Sequence, residues 1–253
     1  MSGSLRKRIA EGQTVFGQMY LELFTPGAVY AAANCGLEFV LFDMEHGRCE
    51  LALLDSLIHA ARAANIVPLV RAPDMGFAPL ARLLDMGAEG IMVPRVESRA
   101  QIEDVIAQLK YAPQGRRGVA LGVSHDRYLA KGQNYFSEAN DRTLVIALLE
   151  TVTAFENLEQ IVSTPGLDVA WMGHYDLTVS MGIPAQFEHP RFLKEMDRLV
   201  EACARHKVAP GFLPANPDDA KHWIGKGFRV ISLATDIGTY QGALRNFRKS
   251  LDS

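Results

Sequence analysis

The sequence predicts a single-domain (β/α)8 barrel, or TIM barrel, spanning residues 1–253. Three observations support this fold class. Eight short apolar runs are spaced along the chain, longer amphipathic segments separate them, and the total length is that of one such barrel.

The eight apolar runs contain almost no polar residues, which is typical of strands that are buried on both faces of a parallel sheet. A strand with one solvated face would alternate apolar with polar side chains instead. In chain order the predicted strands are Val15–Tyr20, Phe39–Phe42, Ile66–Val70, Gly90–Val93, Leu144–Leu149, Val169–Met172, Ala209–Leu213 and Val230–Leu233.

Helical spacing of apolar residues recurs between the runs and after the last one. The clearest sets are Leu51, Leu54, Ile58 and Ala61; Ile102, Val105, Ile106 and Leu109; Phe192, Met196, Leu199 and Cys203; and Ile237, Tyr240, Leu244 and Phe247. Eight right-handed strand–helix–strand units can close into a barrel. The alternative is an open doubly wound sheet, but the early strands lack the glycine-rich dinucleotide fingerprint that such sheets often carry.

The segment 111–143 interrupts this rhythm between the fourth and fifth strands. It holds no clear strand and no long apolar helix, and long irregular segments in compact domains are usually functional. We therefore expect an irregular segment that borders the active site. No linker, repeat or low-complexity tract divides the chain, so one domain is predicted.

Composition argues against several classes of protein. The net charge is −3, with 26 Lys and Arg against 29 Asp and Glu, and no basic stripe indicates a nucleic-acid partner. The three cysteines, Cys35, Cys49 and Cys203, form neither a zinc pattern nor a disulfide framework. No apolar stretch is long enough to span a membrane, and the polar first residues do not resemble a signal peptide. A cytoplasmic location is expected.

Ionisable residues follow several of the predicted strands, at the end of the barrel where active sites of this fold lie. The second strand leads into Asp43 and His46, the third into Arg71, and the fifth into Glu150. Asp176 follows the sixth. Each residue alone is equally well read as a helix cap, an ion-pair partner or a hydrogen-bonded structural histidine. Their convergence at one rim favours chemistry, because burying several charges together is costly.

Two carboxylates on neighbouring strands, Glu150 and Asp176, suit a hard divalent cation with open positions for water and for a chelating 2-oxo acid. Arg71 beside such an ion would neutralise an oxyanion, and His46 would move a proton. The pattern favours enolate chemistry on an oxo acid. No strand ends in lysine, which argues against a Schiff-base aldolase.

Several motifs resemble those of the HpcH/HpaI aldolases, a family of metal-dependent pyruvate aldolases. The resemblance runs from about Gly17 to about Asp236. Its pieces are Phe42–His46, Val70-Arg71, Leu84–Ala88, Val93-Pro94, Arg117–Val119, Leu149–Thr151, and Gly173–Leu177 leading to Met181-Gly182.

The resemblance implies a function. The protein would cleave a 4-hydroxy-2-oxo acid reversibly into an aldehyde and pyruvate, or hydroxypyruvate. Glu150 and Asp176 would hold Mg²⁺ or Mn²⁺, with Co²⁺ as a further candidate. Arg71 would stabilise the enolate, and His46 would act in acid–base chemistry with Asp43 or with Asp85.

The resemblance also implies how subunits and substrate are arranged. Asp85 would reach the site across a subunit interface, in a hexamer built as a dimer of trimers whose last helix is exchanged between subunits. The turn Gly173–Asp176, which includes His174 and Tyr175, would receive the substrate carboxylate. The partners would be the small oxo acid and aldehyde, with neither nucleic acid nor membrane.

The chain departs from the family pattern at three places. Leu148 replaces the glutamine that usually stands two residues before the metal-binding glutamate. His174 and Tyr175 replace a Pro-Ala pair, so His174 is either a second functional histidine or a turn-shaping residue. The stretch Ser124–Arg127, with His125, also differs and is a candidate to face the aldehyde.

Two other functions remain open from the sequence. A citryl- or malyl-CoA-type lyase on a related barrel would need a basic patch for the CoA phosphates, and none stands out. A catalytically inactive barrel that binds oxo acid finds support in Leu148 but not in the retained Glu150, Asp176, Arg71 and His46.

Overall fold

The computed structural model describes residues 4–129 and 132–251, and it contains the barrel that the sequence predicts. The strands are β1 (Val15–Tyr20), β2 (Phe39–Asp43), β3 (Val67–Arg71), β4 (Gly90–Val93), β5 (Leu144–Leu149), β6 (Val169–Met172), β7 (Ala209–Phe212) and β8 (Val230–Thr235). All are parallel and pair in chain order, and β8 closes the barrel on β1. The predicted fold class is confirmed.

The observed strands β2, β3 and β8 end later than predicted, because polar residues continue the hydrogen-bonded ladder beyond the apolar runs. β2 and β3 continue into Asp43 and Arg71, which face each other in the register of the two strands. Their side chains pair with each other, so these polar residues extend the sheet by one position beyond the apolar run. Thr235 ends β8, and its hydroxyl accepts from the backbone N–H of Gly238 to cap the following helix.

The helices surround the barrel in the expected alternation. They are α1 (Leu5–Ala10), α2 (Pro26–Asn34), α3 (Leu51–Ala63), α4 (Phe77–Asp85), α5 (Arg99–Leu109), α6 (Asn134–Arg142), α7 (Val152–Glu156), α8 (Leu158–Val162), α9 (His174–Ser180), α10 (Pro190–His206), α11 (Pro217–Lys226) and α12 (Asp236–Lys249). The four helices with clear apolar spacing correspond to α3, α5, α10 and α12. None of the described helices is long and apolar enough to cross a membrane.

Most of the buried apolar side chains form two layers. One large cluster lies between the strands and the helices, and includes Val70, Ile91 and Leu199. A second cluster fills the inside of the barrel, where Leu148 and Trp171 are almost completely buried. The barrel interior is therefore packed with side chains.

The helix α12 leaves its apolar face uncovered within one chain. Tyr240, Leu244 and Phe247 are 54%, 53% and 70% exposed, while Asp236 is the buried residue of this helix among those described. Both carboxylate oxygens of Asp236 accept backbone N–H groups from Leu21–Leu23, which fixes the start of α12 against β1. Exchange of this helix between subunits stays a prediction.

The segment 111–143 connects the end of α5 to the start of β5, so both its ends lie at the amino ends of the strands. It contains α6, whose polar sequence gives little apolar signal, and a 3-10 turn at Ser124–Asp126. Its Ser124 hydroxyl donates to the Met86 carbonyl just after α4. Its predicted place beside the active site stays a prediction.

Candidate active site

Asp43 and Arg71 form a buried bidentate pair at the carboxyl ends of adjacent strands. The Nε atom of Arg71 donates to Oδ1 of Asp43 at 2.8 Å, and Nη2 donates to Oδ2 at 2.5 Å. Asp43 is completely buried and Arg71 is 8% exposed. Two parallel hydrogen bonds in a buried site fix the plane of the guanidinium as well as its position.

The turn after β2 is organised by the same aspartate. Oδ1 of Asp43 accepts from the backbone N–H of Glu45 at 2.9 Å and from that of His46 at 3.4 Å. Gly47 closes the turn, where a Cβ atom would collide with the Asp43 carbonyl and lie 2.8 Å from the Phe24 ring. The His46 side chain is 59% exposed at the rim. Asp43 thus holds the backbone of His46, and its carboxylate binds Arg71 rather than the imidazole.

Glu45 is a site residue that the sequence reasoning missed. Its Oε2 atom lies 3.1 Å from Nη1 of Arg71 and 3.9 Å from Nε2 of His46. The same oxygen is buried and has no hydrogen-bond partner among the described residues. The signal in the sequence was three ionisable residues within the four positions 43–46, at the end of β2. Periodicity cannot tell which of the three turns inward.

Glu150 directly follows β5 and is 4% exposed. Its Oε1 atom accepts from the backbone N–H of Arg95 at 2.8 Å, and Arg95 adopts a left-handed backbone (φ 55°) to direct that N–H. Burial, together with the charges of Glu45 and Asp176, raises the pKa of Glu150 to about 7. The hydrogen bond from Arg95 and the charge of Arg71 oppose this rise. Three carboxylates therefore repel one another across this rim.

The close approach of β6 to Glu150 requires a glycine. A Cβ atom on Gly173 would collide with the Cβ of Glu150 and lie 3.0 Å from its Oε2. The backbone N–H of Gly173 donates to the Leu149 carbonyl at 2.9 Å, which continues the ladder past the strand ends. Asp176 follows in the first turn of α9, with its side chain exposed.

The carboxylates at this rim fit a hard divalent cation. Mg²⁺ is commonly held by one or two protein carboxylates, with water and substrate oxygens filling its other positions. Glu150 and Asp176 offer such a pair, and each carboxylate raises the local negative charge that a cation would offset. No group of three or more His, Cys, Asp or Glu side chains in 4–129 and 132–251 could enclose a metal.

His174 lies in an aromatic cluster beneath the first turn of α9. Its ring is 4.7 Å from that of Tyr175, 5.2 Å from Phe187 and 5.2 Å from Phe212, between centroids. Burial lowers the pKa of His174 to about 4, although a hydrogen bond to the Met172 carbonyl opposes this change. The imidazole is therefore neutral at physiological pH, while Tyr175 remains 61% exposed at the surface.

Leu148 forms part of the apolar floor below Glu150. Residues two apart on a strand share a face, so Leu148 points into the barrel under the carboxylate. It is 3% exposed and belongs to the interior cluster with Trp171. At this position, where the resemblance leads one to expect the polar amide of a glutamine, the chain has a buried apolar side chain.

Asp85 lies apart from the other predicted site residues. It ends α4, at the amino ends of the strands, and pairs with Arg117 at 2.6 Å. His125 is 3.8 Å away, and burial lowers the pKa of its ring. No contact with His46 occurs among the described residues. Within one chain, the predicted partners His46 and Asp85 therefore lie at opposite ends of the barrel.

The sequence model of the HpcH/HpaI aldolase/citrate lyase family matches residues 17–243. The chain belongs to this family.

Known relatives agree with this assignment along the whole chain. The 2-keto-3-deoxy-L-rhamnonate aldolase of Escherichia coli K12 is 29% identical, over 96% of this chain and 91% of its own. An HpcH/HpaI aldolase from Desulfitobacterium hafniense DCB-2 has a solved structure that is 29% identical, with a TM-score of 0.92 over 99% of this chain and 97% of its own. The solved citrate synthase SbnG is also 29% identical, with a TM-score of 0.86 over 99% of both chains.

These comparisons confirm the predicted family, the fold and the class of enzyme, a carbon–carbon lyase of the aldolase type. Class II aldolases of this family are metal-dependent. The two carboxylates of Glu150 and Asp176 at the rim agree with this requirement.

Proposed function

We propose that this protein is a divalent-metal-dependent aldolase that cleaves 4-hydroxy-2-oxo acids into pyruvate, or hydroxypyruvate, and an aldehyde. The observation that carries this proposal is the Arg71 guanidinium, which Asp43 fixes at the rim that also holds Glu150. A rigid cation beside a pair of metal-binding carboxylates suits a reaction in which negative charge develops on a 2-oxo acid.

Glu150 and Asp176 are the residues that would hold the metal, with Mg²⁺ or Mn²⁺ preferred over Co²⁺. When bound, the ion supplies electrophilic stabilisation of charge on the carboxylate and 2-oxo oxygens of the substrate. The pair offers only carboxylate oxygens, which favour a hard cation over softer metals.

Arg71 stabilises the enolate in this proposal. Its Nε and Nη2 atoms are engaged by Asp43, and Nη1 faces Glu45, so one edge of the guanidinium is oriented before substrate binds. Preorganised donors of this kind require no rearrangement as the charge develops. Glu45 also helps to orient Arg71, through its contact with Nη1.

The turn at the start of α9 receives the substrate carboxylate. The N–H groups of His174, Tyr175 and Asp176 have no acceptor among the described residues, as is usual for the first turn of a helix. The family's Pro-Ala pair would present one N–H fewer, because proline has none. The buried ring of His174 shapes this turn through its aromatic neighbours.

His46 moves the proton between the aldehyde oxygen and solvent, aided by Asp85 of a neighbouring subunit. The exposure of His46 and its separation from Asp85 within one chain support an assembled site. We propose a hexamer, a dimer of trimers, in which the exposed face of α12 docks on another subunit. A cytoplasmic location stays a prediction from the composition.

Pyruvate release from a panel of 4-hydroxy-2-oxo acids tests the proposed function. The panel should include acids that yield short aliphatic, hydroxylated and carboxylated aldehydes, each assayed with and without added Mg²⁺ or Mn²⁺. We expect metal-dependent release from at least one class. Absence of release from every member, in a protein shown to bind Mn²⁺, would reject the aldolase.

A further inference from the structure

A cluster of positive charge lies at the opposite end of the barrel from the candidate active site. Arg62 stands in the last turn of α3, and Arg127 directly follows the 3-10 turn of the segment 111–143. Together with His59 they border a cavity of about 220 Å³, which we call the Arg62–Arg127 cavity. Its other lining residues are Ala63, Ser124 and Tyr128.

These arginines lack the carboxylate partners that such side chains usually have. Nη1 of Arg62 donates to the carbonyl of Ser124 at 2.5 Å, and in the described part of the chain neither Arg62 nor Arg127 forms an ion pair. Burial lowers the pKa of Arg62, and the charges of Arg127 and Arg142 lower it further against the opposing charge of Glu89. A half-buried cation that faces other cations is unfavourable until an anion joins it.

The backbone holds this arrangement in place. Arg127 and Tyr128 both adopt left-handed backbone conformations, with φ of 61° and 59°, which residues other than glycine rarely adopt. Their backbone N–H groups donate to the carbonyls of Ser124 and Val123, each at 3.0 Å. The strained turn therefore has a fixed shape, which brings Arg127 beside α3.

The other wall of the cavity is also fixed by hydrogen bonds. Nδ1 of His59 lies 2.8 Å from the Asp55 carbonyl and 3.6 Å from Oδ2 of the same residue. Its Nε2 atom lies 3.2 Å from the Ser124 hydroxyl and 3.3 Å from the Tyr128 hydroxyl. Backbone strain persists only where the surrounding structure enforces it, and it concentrates at ligand sites.

We propose that the Arg62–Arg127 cavity binds the phosphoryl group of a small molecule, at a site separate from the catalytic rim. Two arginines from different elements line the cavity, and guanidinium groups are well suited to bind phosphoryl oxygens. The cavity is larger than a bare phosphate ion, so it also has room for a small organic group. This site does not depend on the aldolase proposal.

Titration of the full chain with inorganic phosphate, followed by calorimetry, tests the proposal. We expect saturable binding of one phosphate per chain. A parallel titration with glycerol 3-phosphate distinguishes the sources: tighter binding indicates a phosphorylated metabolite, and equal or weaker binding indicates free phosphate. Malonate should bind more weakly than phosphate. Equal affinity for malonate, or no phosphate binding up to about 10 mM, would overturn the assignment of a phosphoryl site.

Two substitutions locate the bound phosphate. Arg127→Asn keeps a residue that tolerates the left-handed backbone, and Arg62→Gln keeps a donor for the Ser124 carbonyl. Each should weaken phosphate binding by about tenfold or more. The matched control Arg205→Gln removes an exposed arginine that pairs with Glu159 on α8, and should leave binding unchanged.

Arg71→Ala separates this cavity from the catalytic rim and should also leave phosphate binding unchanged. Loss of binding in Arg71→Ala would place the phosphate in the active site and overturn the proposal. Unchanged binding in both cavity variants would overturn it as well. If those two variants alter only the oligomeric state measured by light scattering, the cavity is a subunit contact and the proposal fails.

Discussion

The guanidinium of Arg71 lies in the plane set by two hydrogen bonds to Asp43, and the two residues face each other as the last positions of neighbouring strands. Register places them side by side at the carboxyl edge of the barrel. The backbone of the sheet therefore positions the cation that the proposed reaction needs. Loops contribute only the groups around it.

Arg71→Lys should lower both cleavage and the exchange of pyruvate methyl protons by about 10²–10³, because a point charge cannot reproduce the bidentate fork. Arg71→Ala should behave similarly, since every step through the enolate loses the same stabilisation. Steady-state cleavage rates and deuterium uptake followed by NMR measure the two effects. A lysine variant near wild-type rates would show that the planar contact is unimportant.

His46→Ala should affect the two reactions unequally. General acid–base help is worth roughly 10²–10⁴, and we assign it to the aldehyde end of the substrate. Cleavage should therefore fall further than pyruvate proton exchange. The same two assays measure this, with His206→Ala, a histidine paired with Glu159 on the outer helices, as the control. Equal losses in both assays would remove the division of labour between His46 and Arg71.

The chain should form a stable oligomer through α12. Substituting Leu244 and Phe247 by serine removes apolar area that is exposed within one chain, so the variant should dissociate while its barrel remains folded. Multi-angle light scattering and circular dichroism report the two properties. If wild-type protein is monomeric at micromolar concentration, the proposed hexamer and the shared site with Asp85 are both wrong.

Lys110 should make the free energy of unfolding increase as the pH rises in the alkaline range. Burial lowers its pKa to about 8 in the folded chain, and Nζ contacts the carbonyls of Asn140 and Thr143 at 2.6 Å. The unfolded chain keeps its proton up to about pH 10.4. Between these values the unfolded state binds more protons, so this group adds stability as pH rises.

The measurement is the difference in unfolding free energy between wild type and Lys110→Met. From pH 8 to 10 it should shift in favour of the wild type by about 2 kcal/mol, since one pKa unit corresponds to about 1.4 kcal/mol. Lys221→Met, at an exposed lysine of α11, is the control and should show no such shift. A constant difference for Lys110→Met would mean that this lysine keeps an ordinary pKa.

The barrel could be predicted because its strands are buried on both faces and read as unbroken apolar runs. The predicted Val15–Tyr20, Gly90–Val93 and Leu144–Leu149 coincide with β1, β4 and β5. The helix α6 could not, because its apolar residues are few: Tyr135 and Ala139 are buried and Phe136 is partly buried, while the others are polar. Such a helix is held by contacts distant in sequence rather than by its own pattern.

The candidate site could be placed from the sequence only where it follows strand ends. Arg71 and Glu150 stand at such ends, and the barrel brings them to one rim. The inward turn of Glu45, by contrast, depends on the path of a loop. The left-handed backbone of Arg95 accompanies a hydrogen bond to Glu150, a residue distant in sequence. Sequence order also could not show that Asp43 binds Arg71 rather than the ring of His46.

The central claim, a divalent cation held by Glu150 and Asp176 for enolate chemistry, is tested most directly by deuterium uptake into pyruvate without any aldehyde present. Wild-type protein treated with a chelator should lose exchange, and added Mg²⁺ or Mn²⁺ should restore it. Glu150→Gln should remain folded, bind Mn²⁺ more weakly by electron paramagnetic resonance, and show no restored exchange. Full exchange in thoroughly demetallated wild-type protein would contradict the claim.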